Sequence, residues 1–176
     1  MKKLSVLVAG VALSGAAAVT PAAVSSGASM PTQVDRANHA EPTTREAGPS
    51  EARIASLFDR WNAALLSGDA EKVAARYAHD AVLLPTASPK IRTTRAEIVD
   101  YFEHFLENKP SGEKLRTVVE VLDRNTAVDA GLYRFTLTNQ DGTTRHVDAR
   151  YTYVYEKRNG KWKIINHHSS VVPPAS

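Results

Sequence analysis

The stretch WKIINHHSSVVP, Trp162–Pro173, decides how this chain is read. It follows Asn159-Gly160, a dipeptide suited to a two-residue hairpin turn because both positions tolerate positive φ. It alternates as a strand does, yet carries Asn166, His167, His168, Ser169 and Ser170 where a plain sheet strand carries Val, Ile or Tyr. A strand that gives up apolar packing for so many hydrogen-bonding groups lines something, and the stretch is read as one wall of a pocket.

Upstream, Asp141-Gly142 is a second hairpin signal. If both turns are two-residue loops, Arg134 lies opposite Ala149 and diagonal to Tyr151, Tyr151 opposite His168, and Tyr153 opposite Asn166. Side chains alternate across a strand, so one face collects Arg134, Tyr151, Tyr153, Tyr155, Asn166, His168 and Ser170. The other collects Tyr133, Phe135, Leu137, Asp148, Arg150 and His167. A bulge would exchange the two sets. The first set, polar at its centre and aromatic around it, suits a cleft closed by helices. Both faces are apolar enough to predict a covering copy of the chain, in a homodimer or a larger ring.

Further upstream, Leu115–Leu122 and Ala127–Thr138 read as strands, and Ala81–Leu84 as a brief one ended by Pro85. Ile54, Leu57, Phe58, Trp61 and Leu65 recur at helical spacing and predict one amphipathic helix over Glu51–Leu66, with Ser50 as N-cap. Asp69 caps a shorter helix, Ala70–Tyr77. Thr94-Arg95-Ala96-Glu97 forms a capping box for a helix that buries Ile98, Phe102 and Phe105. Helices followed by strands predict an α+β domain, with helices on one face of an antiparallel meander.

The remainder bounds context. Residues 1–28 read as a signal peptide, with Lys2 and Lys3 before an apolar run too short for a membrane span, so a secreted or periplasmic location is expected. Residues 29–49 read as a disordered linker rich in Pro, Ser and Thr, and residues 50–174 as the folded domain. No cysteine is present, which excludes disulfides, thiol catalysis and Cys-based zinc sites. Of the formal charge of +3, two charges sit on Lys2 and Lys3; the +1 that remains argues against nucleic acid as a partner.

Ser67-Gly68-Asp69 after an amphipathic helix, Asn-Gly-Lys-Trp at 159–162 and the His-Ser-Ser-Val-Val-Pro ending resemble the NTF2-like superfamily. Within it the chain is similar to bacterial secreted relatives of the calcium/calmodulin-dependent protein kinase II association (hub) domain, which overlap with the SgcJ/EcaC-type and ketosteroid-isomerase-related groups. The resemblance implies a cone of three N-terminal helices on a curved antiparallel sheet, with a pocket inside and dimerisation through the sheet. It implies a pocket arginine at Arg134 and a late-strand histidine at His168. Tyr153 and Ser169 stand where further pocket arginines are expected, a departure that weakens anion binding. Nothing resembles a kinase catalytic domain.

Competing readings attach to each residue. Arg134 would take a carboxylate in bidentate fashion, or else pair internally with Glu97, Asp80 or Asp129. His168 would be a general base or a donor to ligand, or a structural histidine tied to Tyr151. Tyr151 is a candidate oxyanion donor and Tyr153, Asn166 and Ser170 candidate ligand contacts. Trp61, Tyr77 and Tyr101 read as pocket wall or plain core. His167 and His168 point to opposite faces of a strand and make a poor metal pair, so no metal and no cofactor are expected. Three functions follow: a small-molecule binder for an acidic or apolar ligand, a cofactor-independent isomerase, cyclase or dehydratase, and an assembly module with a vestigial pocket.

Overall fold

In the structure, a computed structural model that describes residues 48–174, nine elements run in the order α1 (Glu51–Ala55), α2 (Leu57–Leu66), α3 (Ala70–Ala74), β1 (Tyr77–Leu84), α4 (Arg95–Leu106), β2 (Ser111–Val121), β3 (Thr126–Thr138), β4 (Thr144–Arg158) and β5 (Lys161–Val171). The expected signal peptide, and the expected linker apart from its last two residues, lie outside the described residues. Among the described residues no helix is long and apolar enough to cross a membrane.

The helix expected over Glu51–Leu66 is two. The Ser56 hydroxyl donates to the Arg53 carbonyl at 2.8 Å, a local bond that competes with the helical ladder, and the chain turns there. Ser50, Asp69 and Thr94 cap α1, α3 and α4, each side-chain oxygen accepting a backbone N–H three residues on. The shorter helix expected over Ala70–Tyr77, α3, stops at Ala74 because Tyr77 begins β1 and is buried.

The sheet has the order β1-β5-β4-β3-β2. Strands β2 to β5 form the antiparallel meander that their turns predict, but β1 joins β5 in parallel, so the sheet is mixed. The core lies between the helices and one face of the sheet, where Ile54, Phe58, Trp61, Ile98 and Phe102 meet Tyr133, Tyr151 and Tyr153. Asn62 ties α2 to β2 by exchanging two 2.9 Å hydrogen bonds with the backbone of Gly112.

Two one-residue shifts change the expected face assignment. The Asp141-Gly142 connection is five residues long, Thr138 pairing with Thr144. Gly142 sits at φ +83°, its N–H bonds the Asn139 carbonyl at 3.0 Å, and Asp141 Oδ1 accepts from the Thr143 N–H at 2.9 Å, which makes the longer loop with a left-handed glycine the better satisfied one. Arg134 therefore faces Asp148 and not Ala149. Asn159-Gly160 is the expected two-residue turn, with φ of +50° and +75°, but a bulge at Ile165 then shifts β5 by one residue. Tyr151 pairs with Ser169 and Tyr153 with His167. The core-facing side thus holds Tyr133, Phe135, Leu137, Tyr151, Tyr153, His167 and Ser169, all buried. Arg134, Asn166, His168 and Ser170, expected on that side, alternate with these buried residues and lie on the opposite face.

Candidate functional site

A cavity of about 650 Å³ lies between α2, α4, the segment after β1 and the core-facing side of β3 to β5. Its wall is mostly apolar, built from side chains such as Trp61, Phe102, Phe105, Phe135 and Leu137. That size and lining fit a small organic molecule. The polar groups that reach it are few and specifically wired.

His167 is one of them, and its wiring fixes its chemistry. The indole N–H of Trp61, which can only donate, is 3.1 Å from the Tyr77 hydroxyl. Tyr77 thus accepts from Trp61, and donating its own proton to His167 Nδ1, 2.8 Å away, is the arrangement that leaves the fewest of these buried groups unpaired. With Nδ1 accepting, the neutral imidazole carries its proton on Nε2. That atom is buried and has no hydrogen-bond partner among the described residues. Burial, reinforced by the neighbouring His168, pushes the His167 pKa down to about 3, so the ring is neutral across the physiological range. Tyr153 stacks on the ring with centroids 4.1 Å apart, and Trp61 meets it edge-on at 5.6 Å, which fixes its plane. His167 presents a rigid, uncharged donor without a partner.

Ser169, one pleat further along β5, receives the Tyr133 hydroxyl proton and is bonded in turn to the Thr86 hydroxyl. All three residues bound the cavity. Burial raises the Tyr133 phenol above its usual range and keeps it protonated. At the rim, Arg145 pairs with Leu137 across the β3–β4 ladder; it is exposed and makes no salt bridge among the described residues.

The structure gathers some of the sequence-derived candidates and separates others. Trp61 and Tyr101 bound the cavity, and Tyr77 stands behind it as the relay to His167. Tyr153 backs His167 without bounding the cavity. Tyr151 turns instead to a second buried cluster, donating to Asp129 at 2.9 Å, where Lys114 Nζ lies 3.1 Å from the same carboxylate. Burial raises the Asp129 pKa against the pull of Lys114 and Tyr151, and Asp129 does not border the cavity. Arg134 touches the rim, but its guanidinium is engaged by Asp148 through two bonds of 2.6 and 2.8 Å. Asn166, His168 and Ser170 do not border the cavity; His168 is exposed and borders a small surface recess. Among the described residues no group of three metal-ligating side chains comes together.

His167, Ser169, Tyr133, Thr86 and Arg145 are the site residues that face assignment from the turns misses. A signal for the first two exists in Ile164-Ile165, a doublet of like residues where alternation requires a change. For Thr86 and Arg145 no local pattern points to a cavity.

The sequence matches the calcium/calmodulin-dependent protein kinase II association domain family over residues 50–173. A solved structure from Xanthomonas campestris, described as such an association domain, is 55% identical, with 73% of this chain and 94% of that one covered and a TM-score of 0.70. A ketosteroid isomerase-like protein from Erwinia carotovora atroseptica shares 19% identity over 70% of this chain and 97% of that one, at a TM-score of 0.58. An NTF2-like protein with a cystatin-like fold from Novosphingobium aromaticivorans shares 15% over 70% and 82%, also at 0.58. The last two likenesses are of fold alone. No curated protein matches the chain.

Proposed function

The chain belongs to the calcium/calmodulin-dependent protein kinase II association domain family, with an NTF2-like fold, and from that premise we propose that it is an exported, self-associating domain that binds a small, largely apolar molecule through a hydrogen-bond acceptor. The observation that carries this reading is the buried Nε2 of His167, without a partner among the described residues, on a mostly apolar cavity wall. An unsatisfied buried donor costs about 1–3 kcal/mol, which a ligand carbonyl or carboxylate oxygen would recover. Arg145 at the rim favours ligands whose far end is anionic. In this reading His167 takes the anchoring role that the resemblance assigns to His168 and Arg134.

Acid–base catalysis is the second function this fold suggests, and the geometry favours it less. A neutral histidine with a pKa near 3 is a weak base, and Asp129 is occupied by Lys114 outside the cavity. The test is a thermal-shift and calorimetric panel of aryl carboxylates and steroid-like ketones against the wild type and His167→Gln. Acceptor-bearing ligands should raise the melting temperature, and His167→Gln should weaken their binding by about tenfold, the worth of one good hydrogen bond. If nothing in the panel shifts the wild-type melting temperature, and no ligand co-purifies by mass spectrometry, the reading is wrong.

A further inference from the structure

A second cleft, of about 510 Å³, lies at the other end of the molecule, where α1 begins, β2 turns into β3 and β4 gives way to β5. Arg145 at the rim of the first cavity and Lys157 in this cleft sit near opposite ends of β4, so the two sites are separate. Three cations border the cleft from three different segments: Arg53 of α1, Arg124 of the β2–β3 turn and Lys157 of β4. All three are exposed, and none makes a salt bridge among the described residues. Among the described residues no carboxylate borders the cleft; its other side chains include the amide of Asn125 and the half-buried indole of Trp162.

Lys72, Lys90, Arg92, Arg95, Arg134 and Arg158 each have an acidic partner, whereas this cleft brings three cations without one into a single concavity. Cations gathered in a concave site without counter-charge raise the local potential and attract anions. Guanidinium forks suit phosphoryl and sulfuryl oxygens, and an indole beside them suits a flat apolar substituent. We propose that this cleft is a second binding site, specific for a small tetrahedral oxyanion such as a phosphate or sulfate ester carrying a planar group. The charge comes from Arg53, Arg124 and Lys157, and the planar group lies on Trp162.

Phenyl phosphate, phenyl sulfate, pyrophosphate and acetate are the probes, titrated into the full-length protein by calorimetry with tryptophan fluorescence in parallel. Saturable binding of phenyl phosphate and pyrophosphate, and far weaker binding of acetate, is expected; phenyl sulfate separates a need for two charges from a need for the tetrahedral oxyanion. The phenyl ester should change fluorescence in the wild type and not in Trp162→Phe. Arg124→Glu with Lys157→Glu should weaken binding by at least about a hundredfold, and half-molar salt by about tenfold, since exposed charges are screened. His167→Gln should leave all of these titrations unchanged, which separates this site from the cavity. Absence of saturable binding, or equal binding by the charge-reversed variant with an unchanged melting temperature, overturns the proposal.

Discussion

At the scale of single residues the hydrogen-bond order Trp61 to Tyr77 to His167 has consequences that can be measured. Long-range ¹H–¹⁵N spectra should show His167 as the Nε2–H tautomer, neutral down to about pH 4. Tyr77→Phe removes the acceptor of the Trp61 N–H and the donor to His167 Nδ1, and should cost about 1–3 kcal/mol by denaturant titration. The pH dependence has a definite sign. An unfolded histidine titrates near 6.5, whereas His167 stays unprotonated until about pH 3, so between these values the unfolded chain binds one more proton than the folded one. Its contribution is complete above pH 6.5 and is lost as the pH falls, at up to about 1.4 kcal/mol per pH unit. The wild type should therefore lose stability between pH 6.5 and 4.5 more steeply than His167→Gln. The groups packed on the ring are Trp61, Tyr77 and Tyr153, none of them charged. His104 works the other way: its exposed ring is held to the Asp100 carbonyl, which raises its pKa, so its contribution grows on acidification, and comparison with the variant cancels it. The Lys114–Asp129 pair is a second residue-scale test. Lys114→Met leaves a fully buried carboxylate with only Tyr151 beside it and should cost about 3–5 kcal/mol.

At the scale of elements, capping and turn chemistry explain which parts of the fold are legible in the sequence. Thr94 and Glu97 mark the start of α4 because the Thr94 hydroxyl and the Glu97 carboxylate satisfy donors that the helix leaves free, the latter accepting from the Thr93 N–H; Thr94→Ala should cost about 1 kcal/mol. Asn159-Gly160 marks its hairpin because both residues adopt positive φ. Asp141-Gly142 marks a turn but not its length, since the same glycine conformation serves a two-residue and a five-residue connection, and the difference decides the face on which Arg134 emerges. The parallel pairing of β1 with β5 has no local signature, because it brings together residues 84 to 87 positions apart, and the Tyr77–His167 bond spans 90. Gly131, inside β3, is a mark that can be tested. A Cβ there would lie 1.9 Å from the Arg116 carbonyl oxygen, where β2 is bulged, so Gly131→Ala should destabilise by about 1–3 kcal/mol through forced backbone movement.

At the scale of the whole molecule, the helices cover one side of the sheet and leave the other to Leu132, Arg134, Val154 and Asn166, all half-buried rather than fully wet. The edge strand β2 adds exposed Leu115 and Val118. We expect light scattering on the protein to give a dimer or larger ring, and a strict monomer at micromolar concentration would remove self-association from the proposed function. The class of fold and the presence of a pocket can be read from the sequence because they rest on many residues, each contributing a little. Which polar groups enter the pocket rests on two positions, the Asp141 turn and Ile165, and an error of one residue at either reverses the answer.

The bulge at Ile165 sets the phase of a strand that reads His-His-Ser-Ser. Because each chemistry is written twice in succession, a slip of one residue would replace His167 and Ser169 on the cavity wall by His168 and Ser170, one position along. Deleting Ile165 should straighten the strand and leave His167 inward, whereas moving the bulge itself past Ser170 should hand the wall to the second copy of each pair. In either frame the cavity receives one imidazole and one hydroxyl. The doublets thus protect the composition of the site against an insertion or deletion that would scramble a strand of unrepeated residues, and what such a change alters is the depth at which a ligand meets its donor.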